Sequence, residues 1–237
     1  MIQPKTVLVT GASGFVCRHI IQSLLHDDYH IIAVDRHFDP ELVQFWATHF
    51  VDQVQVLSSD LTTLEDQPID FVVHGAAITA TAQEMGLSAE EHLRANLDIT
   101  LDILAWAHRN SAQRTICVSS SAVYHKTSGM VTEEHPTTPD NLYAIAKATT
   151  ESLVETLRSD FDRDVITIRL SNIYGTGEVS RQTRPRVSLI TRMVQEALHT
   201  GKITVSRPEE SRDWTSATDV GRAVCALLKS PHLRYGL

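Results

Sequence analysis

Short runs rich in β-branched and other apolar residues alternate with longer segments that carry apolar residues at helical spacing. The strand-like runs are KTVLVT, HIIAVD, VQVLSS, DFVVHGAA, RTICVSS and DVITIRL. Helical spacing covers 14–26, 41–49, 89–110, 143–158, 187–199 and 219–229. Strands that alternate with helices build βαβ units, in which the strands run parallel. The sequence therefore predicts an α/β protein with a doubly wound, mostly parallel sheet of the Rossmann type.

Ligands of a doubly wound sheet bind beyond the carboxyl ends of its strands, and the polar motifs of this chain fall at those ends. We expect a dinucleotide-binding domain over 1–172. We expect a partial substrate lobe over 173–237, with one element that returns to the first domain. The segment 176–186 is polar and carries several arginines, which is typical of a loop over a binding site.

The motif TGASGFVC follows the first strand. Gly11 allows a sharp turn, and Gly14 allows the backbone to approach a pyrophosphate at a helix N-terminus, where N–H groups and the helix dipole attract anions. A third glycine is usual three residues later, but Cys17 stands there; its small apolar side chain can fill the position. The pattern predicts a dinucleotide-binding turn, with an ordinary strand–loop–helix connection as the alternative.

Asp35 ends the second strand, about twenty residues after Gly14, where a carboxylate accepts hydrogen bonds from an adenosine ribose. A carboxylate there would repel a 2′-phosphate, which favours NAD over NADP. Arg36 argues in the other direction, because an arginine beside the ribose can bind that phosphate.

The segment YAIAK places Tyr143 and Lys147 four residues apart on a predicted helix, so both lie on one face. A phenol has a pKa near 10, and an adjacent ammonium favours the phenolate. Tyr143 would then exchange a proton with a substrate hydroxyl while hydride is transferred. The serines of VSSSAVYH offer hydroxyls to a reacting oxygen. The alternatives are a solvated Tyr–Lys pair and serines that cap a helix.

The motifs already described belong to a longer series. In chain order this series is TGASGFVC, SDL, HGAA, RANLDIT, SSSAVY, YAIAK, RLSNIYG and SRDWTSATDV. In that order they resemble the extended short-chain dehydrogenase/reductase proteins, the NAD-dependent epimerase/dehydratase group. The resemblance covers nearly the whole chain and implies a Rossmann fold, a nicotinamide cofactor and a substrate that is often a nucleotide sugar.

The resemblance also implies roles for individual residues. Tyr143 would be the catalytic acid and base, and Lys147 would hold the nicotinamide ribose and lower the tyrosine pKa. Ser120 would be the catalytic hydroxyl, with its neighbours Ser119 and Ser121 as alternatives. The implied substrate-binding residues are Ser121, Asn172 and Arg212. The implied cofactor-binding residues are Gly11, Ser13, Gly14, Phe15, Val16, Asp35, Arg36, Asp60, Leu61, Ala76, Ala77, Asn96, Val118, Ser119, Tyr143, Lys147 and Ile173.

Several reactions are compatible with these motifs. In the dehydratases of this group, an Asp and a Glu follow the fifth strand and act as acid and base for the loss of water. Ser121 and Ala122 stand at those positions here, which disfavours elimination of water. We expect an NAD(P)-dependent sugar or nucleotide-sugar epimerase or oxidoreductase. One alternative is an NAD-dependent dehydrogenase of a small hydroxy or sugar-acid substrate. A non-catalytic NAD(P)-binding sensor or scaffold is the alternative of another class.

The composition argues against several classes of ligand and partner. A formal net charge of -8 argues against general binding to nucleic acid or to anionic membranes. No apolar run approaches the roughly 20 residues that span a bilayer. Cys17, Cys117 and Cys225 are far apart, and the histidines lack ligand spacing, so we expect neither a disulfide framework nor a metal site.

The remaining expectations concern location and assembly. The N-terminus passes directly into a strand pattern without a signal peptide, and the isolated cysteines suit a reducing cytoplasm. The helices predicted at 89–110 and 143–158 resemble the pair that forms a dimer interface in this group, which implies a homodimer. The sequence ends at Leu237, soon after the SRDWTSATDV motif, so we expect the substrate lobe to be reduced or truncated.

Overall fold

The computed structural model describes residues 4–124, 129–205 and 208–231. The strands of the main sheet are β1 (Thr6–Thr10), β2 (His30–Asp35), β3 (Val54–Ser58), β4 (Phe71–His74), β5 (Arg114–Ser120) and β6 (Val165–Leu170). They lie in the order β3-β2-β1-β4-β5-β6, and every neighbouring pair is parallel. All six strands coincide with predicted runs, so the predicted doubly wound α/β fold is confirmed.

Helices surround this sheet. They are α1 (Phe15–His26), α2 (Pro40–His49), α3 (Ala82–Met85), α4 (Ala89–Arg109), α5 (Leu142–Phe161), α6 (Leu189–Thr200) and α7 (Ala217–Lys229). Val7 and Val9 of β1 point to a core that contains residues of α1, α2 and α7, whereas Leu8 points to a second core that contains Ile103 and Trp106 of α4. Because both faces are covered, the central strands are continuous apolar runs.

Helix α7 packs against α1, although the two helices lie near opposite ends of the sequence. Gly221 permits this contact, since a Cβ there would lie 2.7 Å from the carbonyl oxygen of His19. Lys229 also forms an ion pair with Asp27 just after α1, at 2.9 Å. The division into domains at 172 and 173 stays a prediction, and residues 206–207 and 232–237 of the predicted lobe lie outside the described residues.

A second, two-stranded parallel sheet joins β7 (Asn172–Tyr174) to β8 (Trp214–Ser216). The sequence analysis missed this sheet and α3. Each of the two strands has only three residues, and such segments are too short to show an alternating pattern. Within the described parts of the chain, no helix combines the length and the apolar character needed to cross a membrane.

Candidate active site

A cavity of about 580 Å³ opens at the carboxyl ends of the central strands. This is the edge at which a doubly wound sheet binds its ligands. The predicted site residues that line it are Gly11, Gly14, Phe15, Val16, Asp35, Arg36, Asp60, Leu61, Ala76, Ala77, Val118, Ser119, Ser120, Tyr143, Lys147, Asn172, Ile173 and Arg212. The fold therefore brings most of the predicted residues to one space.

Three predicted residues are not among those that line the cavity. The Asn96 amide is bonded to the backbone of Ile78, accepting from its N–H at 2.9 Å and donating to its carbonyl at 3.3 Å. Ser13 is fully buried, and Ser121 begins a short 3₁₀ turn after β5. Asn96 thus fixes the segment after β4, and direct ligand contacts of these three residues stay predictions.

The turn between β1 and α1 leaves space for an anionic group. Gly11 has a φ of +66°, and a Cβ on it would lie 2.8 Å from the backbone nitrogen of Ala76. The Gly14 N–H donates to the Gly11 carbonyl at 2.8 Å, which closes the turn. No side chain caps α1, and its first turn has no acidic residue. The open helix N-terminus fits the pyrophosphate of a dinucleotide.

The chain has no third glycine in this turn, and the Cys17 side chain at that position packs into the space that Gly75 leaves just after β4. The thiol of Cys17 donates to the Thr10 carbonyl at 3.5 Å. A Cβ on Gly75, just after β4, would lie 2.2 Å from the Cys17 sulfur. Burial raises the pKa of the Cys17 thiol to about 12, so it stays protonated and acts as a small apolar side chain.

Asp35 is fixed against residues 11–14, the turn between β1 and α1 that we call the phosphate turn after its predicted role. Its Oδ2 accepts a hydrogen bond from the Ser13 backbone N–H at 3.1 Å. The Ser13 hydroxyl in turn accepts from the guanidinium of Arg181 at 2.7 Å. Arg36 and Arg181 line the same cavity as Asp35. The ribose-binding carboxylate expected from the sequence is therefore at the edge of the cavity, with positive charge beside it.

The structure brings Ser120, Tyr143 and Lys147 together. The Asn141 side chain caps α5 and accepts from the Ala144 N–H at 3.0 Å, so the helix begins just before Tyr143. Lys147 is 6% exposed, and its Nζ lies 5.8 Å from the centroid of the Tyr143 ring. The Ser120 side chain lies near enough to the Tyr143 hydroxyl to lower the pKa of that phenol. A phenol, an ammonium and a hydroxyl thus line one cavity wall.

Burial controls the protonation of this cluster. It raises the pKa of Tyr143 above its usual value, while the Ser120 hydrogen bond and the charge of Arg184 oppose that rise. Burial also lowers the pKa of Lys147, whose Nζ donates to the Val118 carbonyl at 2.6 Å. The expected phenolate would therefore need more positive charge nearby than Arg184 provides.

No group of three or more His, Cys, Asp or Glu side chains suited to a metal ion is found in 4–124, 129–205 and 208–231. His74, at the end of β4, instead shares hydrogen bonds with the hydroxyls of Thr10 at 2.8 Å and Thr100 at 3.2 Å. Burial lowers the pKa of His74 to about 3, so this imidazole is neutral and links β1, β4 and α4.

The segment 176–186, which we call the strap, is bonded to two sides of the cavity. On the α1 side, Arg18 donates to the Gly177 carbonyl at 3.1 Å. On the other side, the N–H groups of Thr79 and Ala80 donate to the Thr183 carbonyl, both at 2.9 Å. An ion pair between Arg186 and Glu84 adds a further contact, at 2.9 Å.

Two strap arginines line the cavity. Arg181 reaches Ser13 of the phosphate turn. Arg184 pairs with the buried Glu178 at 2.5 Å, and its guanidinium lies 5.4 Å from the centroid of the Phe15 ring. Neither arginine stands out individually in the sequence; the only signal is the density of arginines in the segment.

A comparison with models of protein families shows to which family the chain belongs. The model of the NAD dependent epimerase/dehydratase family matches residues 7–234. The chain belongs to that family. Membership confirms the predicted resemblance and the prediction of an enzyme of the extended short-chain dehydrogenase/reductase type.

Individual family members show what the chain resembles. It is 26% identical to an uncharacterized UDP-glucose epimerase of Bacillus subtilis, over 96% of this chain and 73% of that protein. It is 29% identical to the human dTDP-D-glucose 4,6-dehydratase, over 95% of this chain and 66% of that protein. The chain thus spans about two thirds of the human family member.

A solved structure from the family adds a geometric comparison. The UDP-glucuronic acid 4-epimerase of Bacillus cereus, in complex with UDP-glucuronic acid and NAD, has a TM-score of 0.79 and 25% identity. The match covers 96% of this chain and 74% of that one. The two proteins therefore share the same overall fold over nearly the whole of this chain.

Proposed function

We propose that the chain uses NAD to epimerise a nucleotide sugar, by oxidising one sugar carbon and then reducing it from the other face. One observation carries this proposal: a single cavity contains both the phosphate turn at Gly11 and Gly14 and the group formed by Ser120, Tyr143 and Lys147. This arrangement supports the proposal that one bound molecule reaches both the binding residues and the proton-transfer residues.

The cofactor would lie along the phosphate turn, with Asp35 at the ribose end. Bound NAD supplies a hydride acceptor and, once reduced, a hydride donor. NAD is preferred over NADP in this proposal because the Asp35 carboxylate lines the cavity and repels a 2′-phosphate. Arg36 and Arg181 line the cavity as well, so the balance of these charges determines the selectivity.

The proton would pass through Tyr143. Its phenolate oxygen takes the proton of a sugar hydroxyl during oxidation, and the phenol formed in that step returns the proton during reduction. Ser120 donates a hydrogen bond to the reacting oxygen. The positive charge of Lys147 stabilises the phenolate, which counters the unfavourable effect of burial on ionisation of Tyr143.

Arginines support a substrate that carries phosphate. Arg212 lines the cavity and is half-exposed, with Glu210 as its ion-pair partner at 3.0 Å. A planar guanidinium can bind a diphosphate through two hydrogen bonds at once. Asn172 lies beside it, donating through its side chain to the Asp213 carbonyl at 3.0 Å. The Bacillus cereus epimerase binds UDP-glucuronic acid, which is a molecule of this class.

The strap favours epimerisation over simple dehydrogenation. Its contacts with α1 and with Thr79, Ala80 and Glu84 span the cavity, an arrangement that would slow exchange of a bound cofactor. An epimerase restores its cofactor in each cycle and needs no exchange. An NAD-dependent dehydrogenase of a small hydroxy or sugar-acid substrate is the second candidate, because the same Ser120, Tyr143 and Lys147 serve both reactions.

We also propose a homodimer through α4 and α5. These helices pack against each other, and apolar side chains remain exposed on both, with Leu101 at 49% and Ile145 at 36%. Light scattering at micromolar protein concentration should give the mass of two chains. A monomer at that concentration would contradict this assembly. The cytoplasmic location stays a prediction from the sequence.

The proposed function is tested in two stages. Mass spectrometry of freshly purified, denatured protein should detect NAD rather than NADP. The protein should then interconvert the C4 epimers of a UDP-sugar or dTDP-sugar, followed by NMR, without a net change at the nicotinamide absorbance band. Net production of NADH would support the dehydrogenase instead. Failure to bind any nicotinamide dinucleotide would overturn both.

A further inference from the structure

Glu151 is a buried carboxylate of α5 that contacts the sheet beside the catalytic cluster. Its side chain is 10% exposed. Its Oε1 accepts a hydrogen bond from the Ser119 hydroxyl at 2.5 Å. Arg169 of β6 binds the same carboxylate with two nitrogens, through Nε at 3.0 Å and through a terminal nitrogen at 2.8 Å. Such two-pronged pairing fixes both partners in orientation as well as distance.

The position of Glu151 on α5 gives these contacts a relation to the site. Tyr143, Lys147 and Glu151 are spaced by four residues, so they lie along one face of the helix. That face contacts three consecutive residues at the end of β5. Lys147 donates to the Val118 carbonyl, Glu151 accepts from Ser119, and Tyr143 lies near enough to Ser120 for that side chain to lower its pKa.

Arg169 extends the same network beyond Ser120. It contacts the Tyr124 hydroxyl, its guanidinium carbon lies 4.8 Å from the centroid of the Tyr124 ring, and it donates to the Glu133 carbonyl at 3.0 Å. Ser120 therefore lies between Ser119, which is bonded to Glu151, and the turn that ends at Tyr124, which is held by Arg169. The chain on both sides of the proposed catalytic serine is anchored to one ion pair.

We infer that Glu151 is a positioning residue, which holds the end of β5 against α5 and thereby sets the geometry of Ser120, Tyr143 and Lys147. This inference rests on the proposed function. Glu151 acts through Ser119, Arg169 and Lys147 and has no place among the residues that line the cavity.

Charge gives Glu151 a second effect on the site. Burial lowers the pKa of Lys147; Glu151 opposes this lowering, and Cys17 of α1 and Cys117 of β5 would oppose it only as thiolates. His74 of β4 also faces Lys147 and is neutral. Glu151 faces the cation of Arg169 as well. Both thiols are protonated, so Glu151 is the carboxylate that helps to keep Lys147 charged.

The test replaces Glu151 with glutamine and uses the next turn of α5 as a control. Glu151→Gln keeps the size of the side chain and removes its charge. Glu155→Gln makes the same change at a site 68% exposed, where the partner is Arg158. The holoprotein is assayed on the sugar nucleotide that the unmodified chain turns over. We expect Glu151→Gln to lower kcat by about 10- to 100-fold, the cost of displaced catalytic groups.

Three readouts separate positioning from general stability. In Glu151→Gln, KM and the NAD dissociation constant should stay within about threefold of the original, because the lost interaction acts on the reacting groups. The alkaline limb of the pH profile of kcat should move to lower pH, since Lys147 loses its proton more easily without Glu151. NMR titration of the Lys147 side chain should show the same lower pKa, and Glu155→Gln should leave it unchanged.

The outcomes are decisive in each case. Equal kcat and equal pH profiles in Glu151→Gln and Glu155→Gln would overturn the inference while leaving the proposed function intact. If the unmodified chain turns over no sugar nucleotide, the proposed function fails and the Lys147 titration alone decides: an equal pKa in both variants overturns the inference. If Glu151→Gln does not fold, Ser119→Ala, which keeps the ion pair, should lower kcat, and an unchanged kcat would overturn the inference.

Discussion

The sulfur of Cys17 fills the space in which a side chain at position 75 would begin. A Cβ on Gly75 would lie 2.2 Å from that sulfur, well inside van der Waals contact. Both residues lie where β1, β4 and α1 meet, beneath the phosphate turn. The close approach of the helix to the sheet therefore depends on a glycine in the sheet, at Gly75, rather than on a third glycine in the turn.

This relationship predicts a coupling between two substitutions. Gly75→Ala should destabilise the protein by about 1–3 kcal/mol, the usual effect of overfilling a packed core. Cys17→Ala in the same chain should restore most of that loss, because the added methyl group then has room. The free energies of unfolding of both single variants and the double variant, measured in urea, give the coupling. Strictly additive losses would contradict the packing described above.

The main sheet was predictable because each strand is a buried apolar run, and such runs show in the sequence without knowledge of the partners. The helices were predictable for the same reason, through their apolar spacing. The sheet of β7 and β8 was not, because Asn172–Tyr174 and Trp214–Ser216 gain their strand structure only by pairing with each other over some forty residues of chain.

A change of cofactor preference should follow from the charges around Asp35. Asp35→Asn removes the negative charge with little change in shape, so the preference for NAD over NADP should fall by about tenfold. Arg36→Gln should weaken NADP more than NAD, because the cation that could bind a 2′-phosphate is lost. Titration calorimetry with both dinucleotides measures each ratio. An unmodified protein that binds NADP as tightly as NAD would contradict the role given to Asp35.

Glu178 of the strap should contribute to the free energy of unfolding by an amount that depends on pH. The side chain of Glu178 is fully buried; burial raises its pKa, but hydrogen bonds from Ser188 and Thr191 and the charge of Arg184 outweigh this, so the net pKa is lowered. A lowered carboxyl pKa stabilises the folded state above the unfolded pKa of about 4.3 and ceases to do so as the pH falls through the folded value.

Glu178→Gln tests this contribution. The difference in unfolding free energy between the original chain and the variant should be largest near neutral pH and should shrink as the pH falls below about 4. The exposed Glu155→Gln variant serves as the control and should change little at either pH. A difference for Glu178→Gln that stays constant with pH would show that the residue acts through shape rather than charge.

The candidate site was predictable in part. Tyr143 and Lys147 lie one helical turn apart, so their proximity follows from local geometry. Glu151 gave no signal, because a charged residue on a helix is usually solvated. Arg169 opens the RLSNIYG motif, but nothing in the sequence indicated that it pairs with Glu151. Arg181 was not predictable either, because its contact with Ser13 joins two segments that lie far apart in the sequence.

Proton transfer by Tyr143 is tested most directly by the kcat of Tyr143→Phe on the sugar nucleotide that the original chain epimerises, measured together with NAD binding. Loss of an acid–base group should lower kcat by about 10²- to 10⁴-fold. The dissociation constant for NAD should stay within about threefold, since only one hydroxyl is removed. Tyr174→Phe, at a side chain 37% exposed, should retain the original kcat. A Tyr143→Phe variant with unchanged kcat would contradict the proposed mechanism.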